Sequence, residues 1–172
     1  MEDWRKAFPA IPGVATPRSP SEAPHLDWGP DADRGILAEP PKVIAERGYA
    51  VLVPQVDKDG NDIAGVRAPM VAAPLATYTG WNIRARGYGN GALHEFTGST
   101  LPFPETAEEA RATGDPRRSI AERYGNRKGY AEAIVAAARK LVADRLMIEE
   151  DVERCAAAAS NWHAPRHVVE LP

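Results

Sequence analysis

The hydrophobic pattern of the chain changes near residue 105. Before that point apolar residues come in short, β-branched runs broken by proline and glycine; after it they recur at helical spacing. In the second part, Thr106-Ala-Glu-Glu109 has the form of a capping box, and Gly114 can close the short helix that follows by adopting a left-handed conformation. Asp115-Pro116 offers an N-cap with proline at the first helical position, which predicts a helix running through Tyr124 with Ser119 inside it and exposed. Asn126 can cap the longest helix, on which Tyr130, Ile134, Ala138, Leu141, Val142 and Arg145 fall near one face. An alanine-rich helix over about 149–161 completes a set of about four. The tail from His163 onward, with Pro165, is expected to fray.

Three less regular segments precede these helices. Residues 1–48 read as an irregular, proline-punctuated arm, because Phe8-Pro-Ala-Ile-Pro-Gly-Val14 and Glu39-Pro-Pro-Lys42 favour extended backbone. Trp4, Phe8, Ile11, Trp28 and Ile36 are expected to pack that arm against something outside it. Tyr49-Ala-Val-Leu-Val-Pro-Gln-Val56 and Asp62-Ile-Ala-Gly-Val-Arg67 predict a β-hairpin turning at Asp57-Lys-Asp-Gly-Asn61, with Pro54 placing its strand at an edge. Residues 69–104 carry too many glycines and prolines for regular structure, yet Tyr78, Trp81, Tyr88, Phe96 and Phe103 predict a long loop ordered by packing. The fold class expected is α+β. The arm (1–48) stands apart from a hairpin, loop and helical portion (49–172).

Composition narrows the classes of function. The apolar fraction of 44% permits a core. A net charge of −3 with mixed signs gives no electrostatic reason to bind nucleic acid or an anionic membrane. Cys155 is the single cysteine, so neither an internal disulfide nor a cysteine metal framework can form. The first residues lack the apolar core of a secretory signal and no run reaches transmembrane length, so the chain as written is expected in the cytoplasm.

Few residues suggest chemistry. Ser19, Ser21, Ser99, Ser119 and Ser160 are the serine hydroxyls, and none stands in a Gly-x-Ser-x-Gly elbow. His163 and His167 have metal-ligand spacing, but Pro165 interrupts any helix between them, so no metal site is expected. Asp57–Asp62 lacks the glycine and glutamate positions of a calcium loop, and Gly87-Tyr-Gly-Asn-Gly91 lacks the Lys-Ser/Thr of a phosphate loop. His94 lies in the glycine-rich loop without a specific motif, and nothing around His25 suggests chemistry. No cofactor is expected. Pro74-Leu-Ala-Thr-Tyr-Thr-Gly-Trp-Asn82 with Arg84 is the remaining constellation. Tyr78, Trp81, Asn82 and Arg84 could line a polar pocket or orient a carboxylate, or they could tie down a buried loop.

Several of these runs, in this order, resemble the C-terminal region of a family of bacterial α/β-hydrolase-domain proteins. They are Phe8–Val14, Asp27-Trp-Gly-Pro30, Glu39-Pro-Pro41, Val51-Leu-Val-Pro-Gln-Val-Asp-Lys-Asp-Gly-Asn61, Ala64-Gly-Val-Arg67, Pro74–Asn82, Pro102-Phe103 and Gly114-Asp-Pro-Arg-Arg-Ser-Ile-Ala-Glu-Arg-Tyr124. The resemblance covers residues 8 to about 160. Trp28, Ala68 and Met70 depart from the family pattern, which more often has Tyr or Phe, an aliphatic residue and an acidic residue there.

The resemblance implies descent from serine α/β-hydrolases of esterase type. Their nucleophilic serine and catalytic histidine lie upstream of these motifs, so no catalytic residue carries over to this chain. The expected function is therefore the C-terminal structural and substrate-site portion of an esterase-like hydrolase, partnered by an upstream catalytic segment or by self-association. A free-standing ligand- or partner-binding module derived from the family is the alternative. A small independent hydrolase using Ser99 or Ser160 with His94 or His163 is a third reading.

Overall fold

The computed structural model describes residues 2–17, 24–49, 52–89, 91–94 and 96–160. Helices and short antiparallel strands are both present, as in an α+β chain. In order they are α1 (Glu2–Ala7), β1 (His25–Asp27), β2 (Lys42–Ile44), α2 (Pro69–Ala72), β3 (Ala76–Thr79), β4 (Asn82–Ile83), β5 (Leu93–His94), β6 (Ser99–Pro102), α3 (Ala107–Thr113), α4 (Ile120–Tyr124), α5 (Arg127–Ala143) and α6 (Glu149–Ser160). Single 3-10 turns occupy Ala32–Arg34 and Ala45–Arg47.

The helical half follows its caps. Thr106 accepts a hydrogen bond from the Glu109 N–H at 3.2 Å, Gly114 closes α3 at φ 74°, and Asn126 accepts from Lys128 and Gly129 at the head of α5. Each such cap is worth about 1 kcal/mol. On α5 the expected face is buried at Tyr130, Ile134 and Ala138, while Arg145 lies beyond the helix end in a left-handed conformation. Val152 and Ala159 of α6 are buried too. Together with Ala73, Leu75, Phe103 and Ile120, residues Tyr130, Ile134 and Ala159 form the main core. Each large apolar side chain buried there stabilises the fold by roughly 1.5–3 kcal/mol.

One helix start differs from expectation. The helix predicted from Asp115 begins at Ile120, because the Asp115 carboxylate turns back onto the N–H and side chain of Arg117. Ser119, expected inside a helix and exposed, is instead the fully buried N-cap of α4 and forms a reciprocal capping box with Glu122.

Among the described residues, the hairpin predicted at 49–68 reduces to one β-bridge, Val56 with Asp62. Its turn forms: Asp57 accepts from Asp59 N and Asn61 N at 3.0 Å, and Asp57 N donates to Asn61 O at 2.8 Å. Pro54, which has no N–H to give, limits the ladder on one side. The Asn61 side-chain amide acts as a surrogate strand partner for β3, donating to Ala76 O at 3.2 Å and accepting from Tyr78 N at 2.8 Å.

The segment 69–104, expected to be loop, holds α2 and a nested pair of hairpins. β3 pairs with β6 from Ala76↔Pro102 to Thr79↔Ser99, and between them β4 pairs with β5. Thr and Tyr residues favour the extended β3, and its turn signals lie inside the ribbon. Gly98 makes the close approach possible: a Cβ there would lie 2.1 Å from the Thr79 carbonyl oxygen.

The arm also contains regular structure, α1 and the two-stranded pair β1–β2. Trp4, Phe8 and Ile11 do not await a missing surface; they are buried with Val56 in a second core, flanked by Val14, Val53, Trp81 and Leu101. Trp28 and Ile36, by contrast, are exposed. The predicted fraying tail, His163, Pro165 and His167 lie outside the described residues. No helix among the described residues is long and apolar enough to cross a membrane.

Candidate functional site

Both cores meet at a buried polar junction between the 57–61 turn, the β3–β6 ribbon and the entry to α4. Arg123 forks onto Asp59, with Nη1 donating to Oδ2 at 2.8 Å and Nη2 to Oδ1 at 2.5 Å. Thr77, fully buried, donates its hydroxyl to the Asp59 carbonyl. Arg117 is 4% exposed and uses every N–H of its guanidinium. Nε and Nη2 donate to the two Asp115 oxygens at 3.0 and 2.6 Å, Nη1 to Thr77 Oγ1 and Leu101 O at 2.9 and 2.8 Å, and Nη2 to Pro102 O at 2.9 Å. A guanidinium has five donors, so Arg117 keeps none for a ligand. Phe103 receives both cations on its ring, with Arg123 at 4.1 Å and Arg117 at 5.1 Å from its centroid.

The electrostatics follow from this packing. Burial pushes the Asp115 carboxyl up, but the hydrogen bonds and charge of Arg117 outweigh it and hold the pKa below the usual carboxylate range. Tyr124, whose hydroxyl donates to Pro74 O at 2.8 Å, and Tyr130 are both pushed up to about 12 by burial. Every charge at the junction has an opposite partner. The junction is a clamp that joins segments, and it has no free group with which to do chemistry.

The hydroxyls named from sequence are also engaged. Ser99 donates to Trp81 O at 3.3 Å, Ser119 to Glu122 at 2.6 Å and Ser160 to Ala156 O at 3.0 Å. His25 Nδ1 lies 3.1 Å from the Tyr49 hydroxyl. Among the described residues no serine hydroxyl hydrogen-bonds a histidine; Ser19, Ser21, His163 and His167 are outside them. A cleft of about 350 Å³ opens between α1 and residues 52–56, lined mainly by Trp4, Leu52, Val53, Val56 and Ile63 with Asp3 and Gln55 at its polar points.

The four residues singled out from sequence divide into two pairs. Tyr78 is half-buried on β3, its hydroxyl pKa raised by burial, and its N–H is held by Asn61. Trp81 packs edge-on to Trp4 at 5.9 Å and tilted to Phe8 at 5.8 Å, while its carbonyl accepts from Thr79 and Ser99. Asn82 and Arg84 instead lie exposed on the β4–β5 hairpin, where Asn82 stands directly opposite His94. The clamp residues Asp59, Asn61, Thr77, Arg117 and Arg123 escape sequence reasoning. Arg117 and Arg123 fall within one of the ordered motifs, and Arg117 pairs with Asp115 two residues before it, but Thr77 lies 40 residues from Arg117 and Asp59 64 residues from Arg123, and no local pattern encodes those contacts.

An alpha/beta hydrolase domain family model matches residues 13–157. No curated protein and no solved structure matches the chain. The family match takes in the clamp, the nested hairpins and all of the main core except Ala159, while Trp4, Phe8 and Ile11 of the second core lie before it. The chain belongs to the alpha/beta hydrolase domain family.

Proposed function

We propose that these 172 residues form a structural and substrate-side portion of an esterase-like serine hydrolase, whose nucleophile and base come from polypeptide outside them. The observation that carries this reading is the sheet content of a chain in this family. A serine hydrolase of this class displays its nucleophile on a tight strand-to-helix turn above a sheet. The strands described here are two to four residues long and pair only as three antiparallel couples. The engaged hydroxyls of Ser99, Ser119 and Ser160 agree with it. Tyr78, Trp81, Asn82 and Arg84 are the residues assigned to the substrate side, and the partner is a catalytic hydrolase segment.

The test is turnover of a p-nitrophenyl ester together with labelling by a fluorophosphonate. The chain alone is expected to be silent in both and to bind a catalytic segment of the same family. Turnover above a heat-killed control that Ser99→Ala abolishes would overturn the proposal.

One observation favours the alternative, a free-standing binding module. Trp4, Phe8 and Trp81 close on one another inside the chain, so these aromatics need no outside surface. Sedimentation separates the two readings. A monomer across micromolar concentrations that ignores a catalytic segment supports the module; association with that segment supports the hydrolase portion.

A further inference from the structure

We infer that residues 52–56 are an open strand edge that receives an extended strand of a catalytic hydrolase segment, the cleft beside α1 taking that strand's apolar side chains. The inference rests on the reading of this chain as a portion of a hydrolase and names where the two parts join. The register of the Val56–Asp62 bridge carries it. Ile63 N donates to Gln55 O at 2.9 Å and Asp57 N to Asn61 O at 2.8 Å, so these two bonds flank the bridged pair. In an antiparallel ladder the residue between such bonds turns its own N–H and C=O to the opposite edge. Val56 is 9% exposed, yet no hydrogen bond among the described residues reaches either group. Backbone groups of a buried residue are nearly always paired, and a neighbouring strand would satisfy both.

The same edge continues back along the chain. Alternate residues of a strand share an edge, so Leu52 and Pro54 face outward with Val56. Leu52 is 89% exposed, and its N–H and C=O are unspent among the described residues. Pro54 offers a carbonyl but no N–H, and it holds Val53 before it in extended backbone. Pairing therefore rests on Leu52 and Val56, with one further bond at the Pro54 carbonyl.

The cleft determines what the strand must carry. About 350 Å³ in volume, it opens between α1 and residues 52–56, and Trp4, Leu52, Val56 and Ile63 supply its apolar wall. Asp3 is the charged residue in that wall; its carboxylate is fully exposed and no closer than 4.0 Å to Lys6. A strand of apolar residues with a basic residue at the Asp3 end is the complementary partner. A small apolar molecule could fill the cleft but would not match donors and acceptors spaced along five residues, as an extended backbone does. Polypeptide leading into α1 would pass this cleft, because Asp3 and Trp4 of the first turn of α1 stand in its wall.

The experiment mixes the full chain with a purified catalytic segment of the same family, one that carries the Gly-x-Ser-x-Gly elbow. Binding is read by sedimentation and the edge by amide hydrogen exchange. Exchange at Leu52 and Val56 is expected to slow in the complex. Leu52→Pro should weaken the complex by roughly tenfold or more, since it removes an edge N–H and sets a ring against the incoming strand. Leu146→Asp, at an exposed position outside the cleft wall, should leave binding unchanged. Because Leu52 is exposed and its N–H bonds nothing among the described residues, the melting temperature of Leu52→Pro should not move, so lost binding reports the edge and not the fold. A complex that forms with unchanged exchange at both amides, or that binds Leu52→Pro equally well, would overturn the strand edge and leave the hydrolase reading standing. Failure of the native chain to bind the segment would overturn both.

Discussion

Removing the Arg117 side chain should unfold this protein more readily than any other single loss of charge. Arg117 and Asp115 are 2% and 7% exposed at their side chains, so solvent screens them little. Arg117→Ala would strand the Asp115 carboxylate in that site. It would also leave Thr77 Oγ1 and the Leu101 and Pro102 carbonyls short of a donor. Breaking a buried pair by removing one partner costs about 3–5 kcal/mol, against total domain stability of roughly 5–15 kcal/mol. At roughly 2–4 °C per kcal/mol for a chain of this size, the melting temperature should fall by about 6–20 °C. Arg117→Lys should recover little of this, because an ammonium has three donors on a point charge where five are used in a planar fork. The assay is urea unfolding followed by tryptophan emission and far-ultraviolet circular dichroism. A second arm tests the coupling: Asp115→Asn should cost much less in the Arg117→Ala background than in the native chain. A loss under about 1 kcal/mol for Arg117→Ala, of the size typical of surface pairs, would refute the clamp as a source of stability.

Three further outcomes follow from the same geometry. The Asp115 pKa is lowered in the folded state, so its contribution is present above the unfolded carboxylate value and is lost as pH falls through the folded one. Acid unfolding should therefore be shallower in Arg117→Ala than in the native chain, and parallel acid limbs would contradict this. Tyr124 and Tyr130 are raised to about 12 by burial, so their contribution is full below the ordinary tyrosine value, declines as pH rises above it, and is lost once pH passes the folded values. An absorbance titration should resolve a late class of tyrosines ionising near unfolding, and a single transition near the ordinary value would count against their burial. Gly129 lies in the first turns of α5, where alanine normally gains about 1 kcal/mol over glycine. A Cβ there would nevertheless meet the Tyr124 carbonyl at 2.0 Å, so Gly129→Ala should lower the melting temperature, and a rise would show that this approach can relax.

Where sequence reading held, it held for local reasons. The caps at Thr106 and Asn126, the Gly114 stop and the α5 face all depend on residues within a turn or two of one another. The 57–61 turn formed for the same reason, since Asp57 binds backbone two and four residues on. The family relationship was legible as well, because ordered short motifs survive in sequence whatever they contact. Of the proposed substrate side, Tyr78, Trp81, Asn82 and Arg84 stand out by residue type, but only strand register sets Asn82 opposite His94.

What the tertiary structure alone decided concerns competition for partners. Asp115 is as good an N-cap as Ser119 in isolation, yet its carboxylate binds Arg117 two residues on, whose guanidinium is held by the distant Thr77, Leu101 and Pro102, and the helix starts at Ile120. Asn61 closes the 57–61 turn with its backbone, and its side-chain amide, paired with β3, satisfies two backbone groups that would otherwise be buried unpaired. Trp4 and Phe8 look unsupported beside their own neighbours in sequence, and find support at Val56 and Trp81. Local hydrogen bonds and spacing are written in contiguous residues. Which donor wins a carboxylate, and which apolar face covers another, depends on segments that only folding brings together.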